Sequence, residues 1–173
     1  FHDRMGNVWI LSPNRILKYS AGGTLLADLG RNKIRFPTGM LQTKDGSLWI
    51  SAGFQGLARF YPQTDSLAFI NLPSFPLSKP IQRMLREQED LKLSRGNFAT
   101  YPTVDKSGKI WLASGFNFDE RTLQINEGGG FFRFDPQTQN ITSFWPNEVP
   151  RNMLSALLQD QKGKFWLAIR DVG

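Results

Sequence analysis

The chain has 173 residues, of which 40% are hydrophobic, 13% aromatic and 21% charged; that balance excludes a disordered segment, and no stretch approaches the ~18 consecutive apolar residues of a membrane-spanning helix. It contains no cysteine, which removes disulfides, thiolate nucleophiles and cysteine-ligated metals together. The formal charge of +6 raises nucleic acid as a partner, but the 21 Lys and Arg are scattered without a basic run, so a solvated surface is expected and nucleic acid is not.

In chain order, the first element is a turn carrying Asp3 and Gly6 that feeds a strand, Val8-Trp9-Ile10. Asp and Gly at a tight turn ahead of alternating aromatic and β-branched residues signal a hairpin. The pattern returns at Asp45-Gly46 before Leu48-Trp49-Ile50, at Asp105 and Gly108 before Ile110-Trp111-Leu112, and at Asp160 and Gly163 before Phe165-Trp166-Leu167. The second copy continues as Gly56-Leu57-Ala58-Arg59-Phe60, a turn at Pro62-Gln63-Thr64 and a strand through Leu67 and Phe69. The third continues in the same way, with Gly130-Phe131-Phe132-Arg133-Phe134, Pro136-Gln137-Thr138 and a strand from Ile141 to Phe144; a fainter version runs from Arg15 to Leu26.

Two insertions interrupt the pattern. In residues 73–98, Ser78 is an N-cap, Pro80 lies in the first turn, Ile81, Met84 and Leu85 share a face and Gly96 is a stop, which predicts a short amphipathic helix within 78–95. Residues 115–129 hold Phe116, Phe118, Asp119, Glu120, Arg121 and Glu127 and end at Gly128 and Gly129, next to Gly130. A strand rather than a helix follows these glycines, so no phosphate-binding loop is expected.

One unit therefore reads as four antiparallel strands, and the tryptophans of the four copies lie 40, 62 and 55 residues apart. A base period near 40 with four strands per unit predicts an all-β fold, a partial β-propeller of three to four four-stranded blades. The repeats are expected at about 1–29, 38–72, 99–145 and 152–173. Both ends fall within a blade, so the chain is expected to be a piece of a longer protein and, on its own, to associate into a homo-dimer or be marginally stable.

The unit resembles the two-component-regulator propeller repeat, whose pattern runs Asp-x-x-Gly-x-Leu-Trp-Ile-Gly-Thr, then Gly-Leu-x-Arg-Phe-Asp-Pro-x-Thr and an aromatic strand. The chain departs where Ser51-Ala52, Ala113-Ser114 and Ala168-Ile169 stand for Gly-Thr and Tyr61 for the Asp that Asp135 keeps. The resemblance implies the periplasmic or other extracytoplasmic sensor region of a bacterial, membrane-anchored hybrid two-component histidine kinase. It implies binding of a small-molecule or oligosaccharide ligand, the remaining blades of the parent chain as partner, and no membrane contact by this segment. No cofactor, no metal and no catalysis by this segment are expected. The alternatives are a protein-interaction scaffold, docking through Ile81, Met84 and Leu85, and a propeller enzyme similar to streptogramin lyases. The latter act through a histidine pair, whereas His2 is the single histidine here.

Strand counting locates the candidate site. In an up-and-down meander the links after second and fourth strands share one face, so both insertions emerge together, away from the Asp-x-x-Gly turns. Loops around a propeller channel are where a rigid scaffold presents a ligand site. Arg35, Tyr101 and Asn152, near the starts of presumed innermost strands, are the candidate channel-mouth contacts, and Arg86, Phe118 and Arg121 the candidate loop contacts. The repeat tryptophans are expected to be core, and Arg59 and Arg133 to pair structurally, with an Asp of a neighbouring turn as a candidate partner. Asp119 and Glu120 are adjacent, so in extended chain they point apart and do not form a carboxylate dyad.

Overall fold

The computed structural model describes residues 1–30, 33–53, 55–70, 72, 99–114, 131–144 and 154–169. Every regular element among them is a strand: β1 Val8–Ser12, β2 Arg15–Tyr19, β3 Leu25–Leu29, β4 Gly39–Gln42, β5 Leu48–Ser51, β6 Leu57–Tyr61, β7 Ser66–Ile70, β8 Ala99–Val104, β9 Ile110–Ser114, β10 Phe131–Phe134, β11 Ile141–Phe144, β12 Leu154–Gln159 and β13 Phe165–Ile169. They form four antiparallel sheets in the orders β1-β2-β3, β4-β5-β6-β7, β8-β9-β10-β11 and β12-β13. The fold is the expected all-β partial propeller. The helix predicted within 78–95 lies outside the described residues.

Each sheet is a meander, and the turns that lead into the tryptophan strands repeat one construction. The amide N–H of Asp3, Thr43, Asp105 and Asp160 donates to the carbonyl of the residue four places on, and the N–H of Gly6, Gly46, Gly108 and Gly163 donates back across the turn. All four glycines take φ between 80° and 87°, a left-handed conformation in which a side chain is strained. Under the turn, Asp105 Oδ1 accepts from the amides of Ser107 and Lys109 at 2.8 and 3.0 Å, while its Oδ2 accepts from Trp111 Nε1 at 2.7 Å. Asp3 does the same for Trp9 and Asp160 for Trp166, at 2.9 and 3.0 Å. The turn thus supplies an anionic acceptor to the polar atom of a ring that must otherwise enter the core.

The second copy is different. Thr43 occupies the structural place of Asp3, and Asp45, two residues on, bonds Thr43 Oγ1 at 2.6 Å and Ser47 Oγ at 2.9 Å. Trp49 Nε1 is then buried without a hydrogen-bond partner.

The sheets stack face to face, and each interface buries the tryptophan face of one sheet on the next. Trp9, Ile16 and Leu29 pack with Leu48, Ile50, Ala58 and Phe60; Trp49 and Leu57 pack with Ile110, Leu112, Phe132 and Phe134; Trp111 packs with Leu157, Phe165 and Leu167. Aromatic contacts fix each interface, with ring centroids 5.0 Å apart for Trp9–Phe60, 5.2 Å for Trp49–Phe134 and 4.4 Å for Trp111–Phe165. Trp9, Trp49 and Trp111 are 1%, 2% and 6% exposed, as expected of core residues. Trp166 corrects that expectation, being 63% exposed, with no sheet among the described residues over its face.

The repeat arginines stand over rings, and Arg59 also acts electrostatically on the Asp45 carboxylate, to which it is linked through Ser47 Oγ. Directly across the ladder from each of the first three tryptophans stands a cation, Lys18, Arg59 or Arg133. These lie 5.2, 5.6 and 5.8 Å from the centroids of Trp9, Trp49 and Trp111, within reach of a cation–π attraction. Arg59 Nη2 also donates to Ser47 Oγ at 2.8 Å, and Arg133 Nη2 to Thr142 Oγ1 at 3.4 Å.

Candidate functional site

The strands β4, β8 and β12 are edge strands of their sheets, and β8 packs against both β4 and β12. They line the inner edge of the stack. Successive links alternate between its two ends, so the residues entering β4 and β8 lie opposite the Asp turns.

At this end, Arg35 is half-buried on the segment leading into β4, and its backbone N–H donates to Gln55 Oε1 at 2.6 Å. The next residue, Phe36, is exposed and takes φ 50°, a rare conformation for an aromatic residue. Its N–H donates to Pro13 O at 2.6 Å. Pro13 and Gln55 belong to links after second strands, so three connections are tied together around Arg35 and Phe36.

Tyr101 stands on the neighbouring inner strand. The β8–β9 register shifts between Ala99 and Pro102, and within that irregularity Thr100 turns inward, its Oγ1 donating to Ala113 O at 2.9 Å. Tyr101 is consequently 61% exposed. Irregularities of this kind re-aim side chains next to functional sites, and Pro102, which has no N–H to give, is accommodated because β8 is an edge strand. Gly39, the first residue of β4, makes room for this arrangement: a Cβ there would sit 2.7 Å from Pro102 Cδ and 3.0 Å from Tyr101 Cδ1. The structure thus brings Tyr101 against the start of β4, four residues beyond Arg35.

Phe36 and Gln55 are the members of this cluster that the sequence did not disclose. The left-handed Phe36 has no sequence signal, because a residue before proline is expected to be extended. Arg86, Phe118, Arg121 and Asn152 lie outside the described residues.

The opposite end has a different chemistry. The shifted carboxyl groups, Asp3, Asp45, Asp105, Asp135 and Asp160, all belong to its turns. For Asp3 and Asp105 burial works to raise the pKa, and hydrogen bonds, from Trp9 and Asn7 to the one and from Ser107 and Trp111 to the other, outweigh it. Asp45 is lowered first by Thr43, Asp160 by Trp166 and Asp135 by the Gln137 amide. These shifts follow from turn architecture, with the carboxylates engaged as acceptors. Among the described residues no group of His, Asp and Glu is placed to hold a metal ion, and no helix is long and apolar enough to cross a membrane.

No family model matches the chain, and no curated protein matches it. Solved structures do. Virginiamycin B lyase from Staphylococcus aureus superposes with TM-score 0.66 at 13% identity, over 98% of this chain and 47% of the lyase. The extracellular domain assigned to a hybrid two-component system of B. thetaiotaomicron superposes with TM-score 0.66 at 16% identity, over 93% of this chain and 18% of that one. A protein described as a gluconolactonase gives TM-score 0.61 at 16% identity, over 96% and 52%. At these identities the likeness is one of fold. The chain spans about half the length of the lyase and under a fifth of the sensor domain.

Proposed function

We propose that this chain is a ligand-sensing propeller segment of the extracytoplasmic region of a two-component sensor, and that it binds without performing chemistry of its own. The observation that carries this reading is Tyr101. It is a large amphipathic ring left exposed at an irregularity of an innermost strand, with Phe36 and Arg35 at the same end of the stack. Exposed aromatic faces suit a ligand with an apolar ring face, and the Arg35 guanidinium adds directed donors for its polar groups. The fold shared with the extracellular domain of a hybrid two-component system supports the same placement.

A lyase reading draws on the superposition with virginiamycin B lyase. Against it, the sequence holds one histidine, His2, where that chemistry resembles the work of a pair, and the carboxylates of Asp3, Asp105 and Asp160 are engaged in supporting the tryptophans. The test is calorimetric titration of the chain with a panel of defined neutral and acidic oligosaccharides, repeated on Tyr101→Ala and Arg35→Ala. Binding that falls at least about tenfold in Tyr101→Ala is expected, the loss of one stacked ring. Binding unchanged in both variants, or turnover of a streptogramin by the wild-type chain, overturns the reading.

A further inference from the structure

The three junctions between neighbouring sheets are not fastened alike. At the Asp-turn end of the first junction, the Arg4 N–H donates to Gln42 Oε1 at 2.8 Å, and Arg4 Nη1 donates to Lys44 O at 2.8 Å. Gln42 is itself anchored, its Nε2 donating to Gly46 O at 3.0 Å. The third junction repeats this clasp. There the Lys106 N–H donates to Gln159 Oε1 at 3.3 Å, Lys106 Nζ donates to Gln161 O, and Gln159 Nε2 donates to Gly163 O at 3.1 Å. In both, a basic turn residue reaches the glutamine that ends the innermost strand of the next sheet. At the second junction the corresponding residues are Lys44 and Val104. Valine has no side-chain acceptor, and among the described residues Lys44 makes no hydrogen bond to the third sheet.

Two further features fall on the second junction. The link across it, residues 71–98, is 28 residues long, whereas those across the other two, residues 30–38 and 145–153, are nine each. A longer link tethers its ends more weakly. Trp49, which packs on Phe134 across this junction, is the ring whose Nε1 is buried without a partner, and such a donor gains a hydrogen bond when water reaches it. Apolar contacts hold the junction closed at rest, and at the end away from the Asp turns Gly39 lies against Tyr101 and Pro102.

We propose that the junction of the second and third sheets is a joint. It opens at the Asp-turn end, pivoting where Gly39 meets Tyr101 and Pro102, more readily than the first junction and without either sheet unfolding. Arg35 leads into the second sheet and Tyr101 belongs to the third, so the joint sets the spacing of the two candidate contacts. That consequence rests on the ligand reading above, whereas the joint itself does not.

The experiment exploits the absence of cysteine, which lets a single introduced thiol report one position. Leu57 and Ala58 are neighbours on β6, both fully buried, and face the second and the first junction respectively. Leu57→Cys and Ala58→Cys therefore report the two faces of one sheet, and unfolding of that sheet would expose both alike. Under native conditions, with reclosing faster than reaction, labelling by an aromatic disulfide reagent follows the open population. Leu57→Cys is expected to label at least about tenfold faster than Ala58→Cys, the equivalent of the missing clasp. Adding Val104→Gln supplies the clasp found at the other junctions. It should slow labelling of Leu57→Cys about three- to tenfold, the worth of one or two net hydrogen bonds, and leave Ala58→Cys unchanged. Adding Gln42→Val to Ala58→Cys removes the clasp of the first junction and should speed labelling by a similar factor. If circular dichroism shows Leu57→Cys unfolded, Leu41→Cys replaces it on the same junction. Equal labelling of the two thiols overturns the proposal, as does Val104→Gln slowing both or neither. Labelling of Ala58→Cys that is unmoved by Gln42→Val overturns it as well.

Discussion

Trp111 Nε1 donates to Asp105 Oδ2 across 2.7 Å, and Asp105 Oδ1 simultaneously accepts the two amides that close its turn. One carboxylate therefore sets the geometry of a hairpin and satisfies the single polar atom of a core ring. Asp105→Ala removes both functions and leaves a buried indole N–H unpaired. The expected loss is about 2–3 kcal/mol of unfolding free energy, from hydrogen bonds to a charged group and an orphaned donor. Urea unfolding followed by tryptophan fluorescence measures it. Asp160→Ala should cost clearly less, since Trp166 is exposed and water can replace the lost acceptor.

The second repeat provides the converse test. Trp49 Nε1 is buried and unpaired, and Thr43 stands where the other copies have Asp. Replacing Thr43→Asp together with Asp45→Ser reproduces the Asp-Lys-Ser-Gly order found at residues 105–108. It also keeps two carboxylates from sharing one turn. The double variant is expected to be more stable by about 1 kcal/mol, the cost of an orphaned donor set against the loss of the Thr43–Asp45 bond. A midpoint equal to or below wild type would show that the bonds of Asp45 to Thr43 and Ser47 are worth at least as much as an acceptor for Trp49 Nε1.

The pH dependence follows from the direction of the five carboxyl shifts. Asp3, Asp45, Asp105, Asp135 and Asp160 all titrate lower in the folded chain than their ordinary value near 3.8. A depressed folded pKa gives stability that is present above the unfolded pKa and is lost as pH falls through the folded one. The urea midpoint should be insensitive to these groups above about pH 5 and should drop below about pH 4. In Asp105→Asn the acid-side slope should be shallower than in wild type, because one of the linked protons is gone. A midpoint falling instead between pH 8 and 6 would assign the dependence to other groups.

Gly56 carries a backbone constraint distinct from the Asp turns. It has φ +81°, and a Cβ there would meet Ile70 O at 2.5 Å, so both conformation and space require glycine. Gly56→Ala is expected to destabilise by more than about 1 kcal/mol, whereas Gly22→Ala, which has no positive φ and meets only Ser20 Oγ at 3.8 Å, should be close to neutral. Parallel thermal melts of the two variants distinguish them.

The fold was legible because its signals are local. A glycine that must take positive φ, an acidic residue three places or one place ahead and an alternating strand behind are all fixed within ten residues, and repetition made each copy confirm the others. The environment of each tryptophan was not legible in the same way. Trp49 and Trp111 sit in similar strands, yet one lacks a polar partner because Thr43 replaces an acid. Trp166 has the same Asp partner as Trp111 and differs from it in exposure, which is a tertiary fact. For Arg59 and Arg133 the residue types point to an Asp partner, and Arg59 does act on Asp45, but only strand register discloses that Arg59 stands opposite Trp49 and Arg133 opposite Trp111. At the candidate site, strand counting brought out Arg35 and Tyr101. Phe36 escaped because a left-handed residue before proline runs against backbone preference.

The contact between Gly39 and the Tyr101–Pro102 segment offers a way to reach the candidate site without altering any group that would touch a ligand. Gly39 lies in a regular strand and its φ is not positive, so alanine is acceptable to its own backbone. What alanine meets is the neighbouring inner strand, with Pro102 Cδ at 2.7 Å and Tyr101 Cα at 3.2 Å. Gly39→Ala is therefore expected to push Tyr101 outward and to cost about 1–3 kcal/mol, as overpacking does in a tight contact. Pro102→Ala replaces the closest atom with an amide hydrogen, so the double variant should recover part of that loss. The two changes should couple by at least about 0.5 kcal/mol in a double-mutant cycle. If Tyr101 belongs to the binding surface, oligosaccharide affinity should fall in Gly39→Ala and return in the double variant in step with stability. Additive effects on stability would mean that β4 and β8 do not meet as described, and affinity unchanged throughout would place the ligand away from Tyr101.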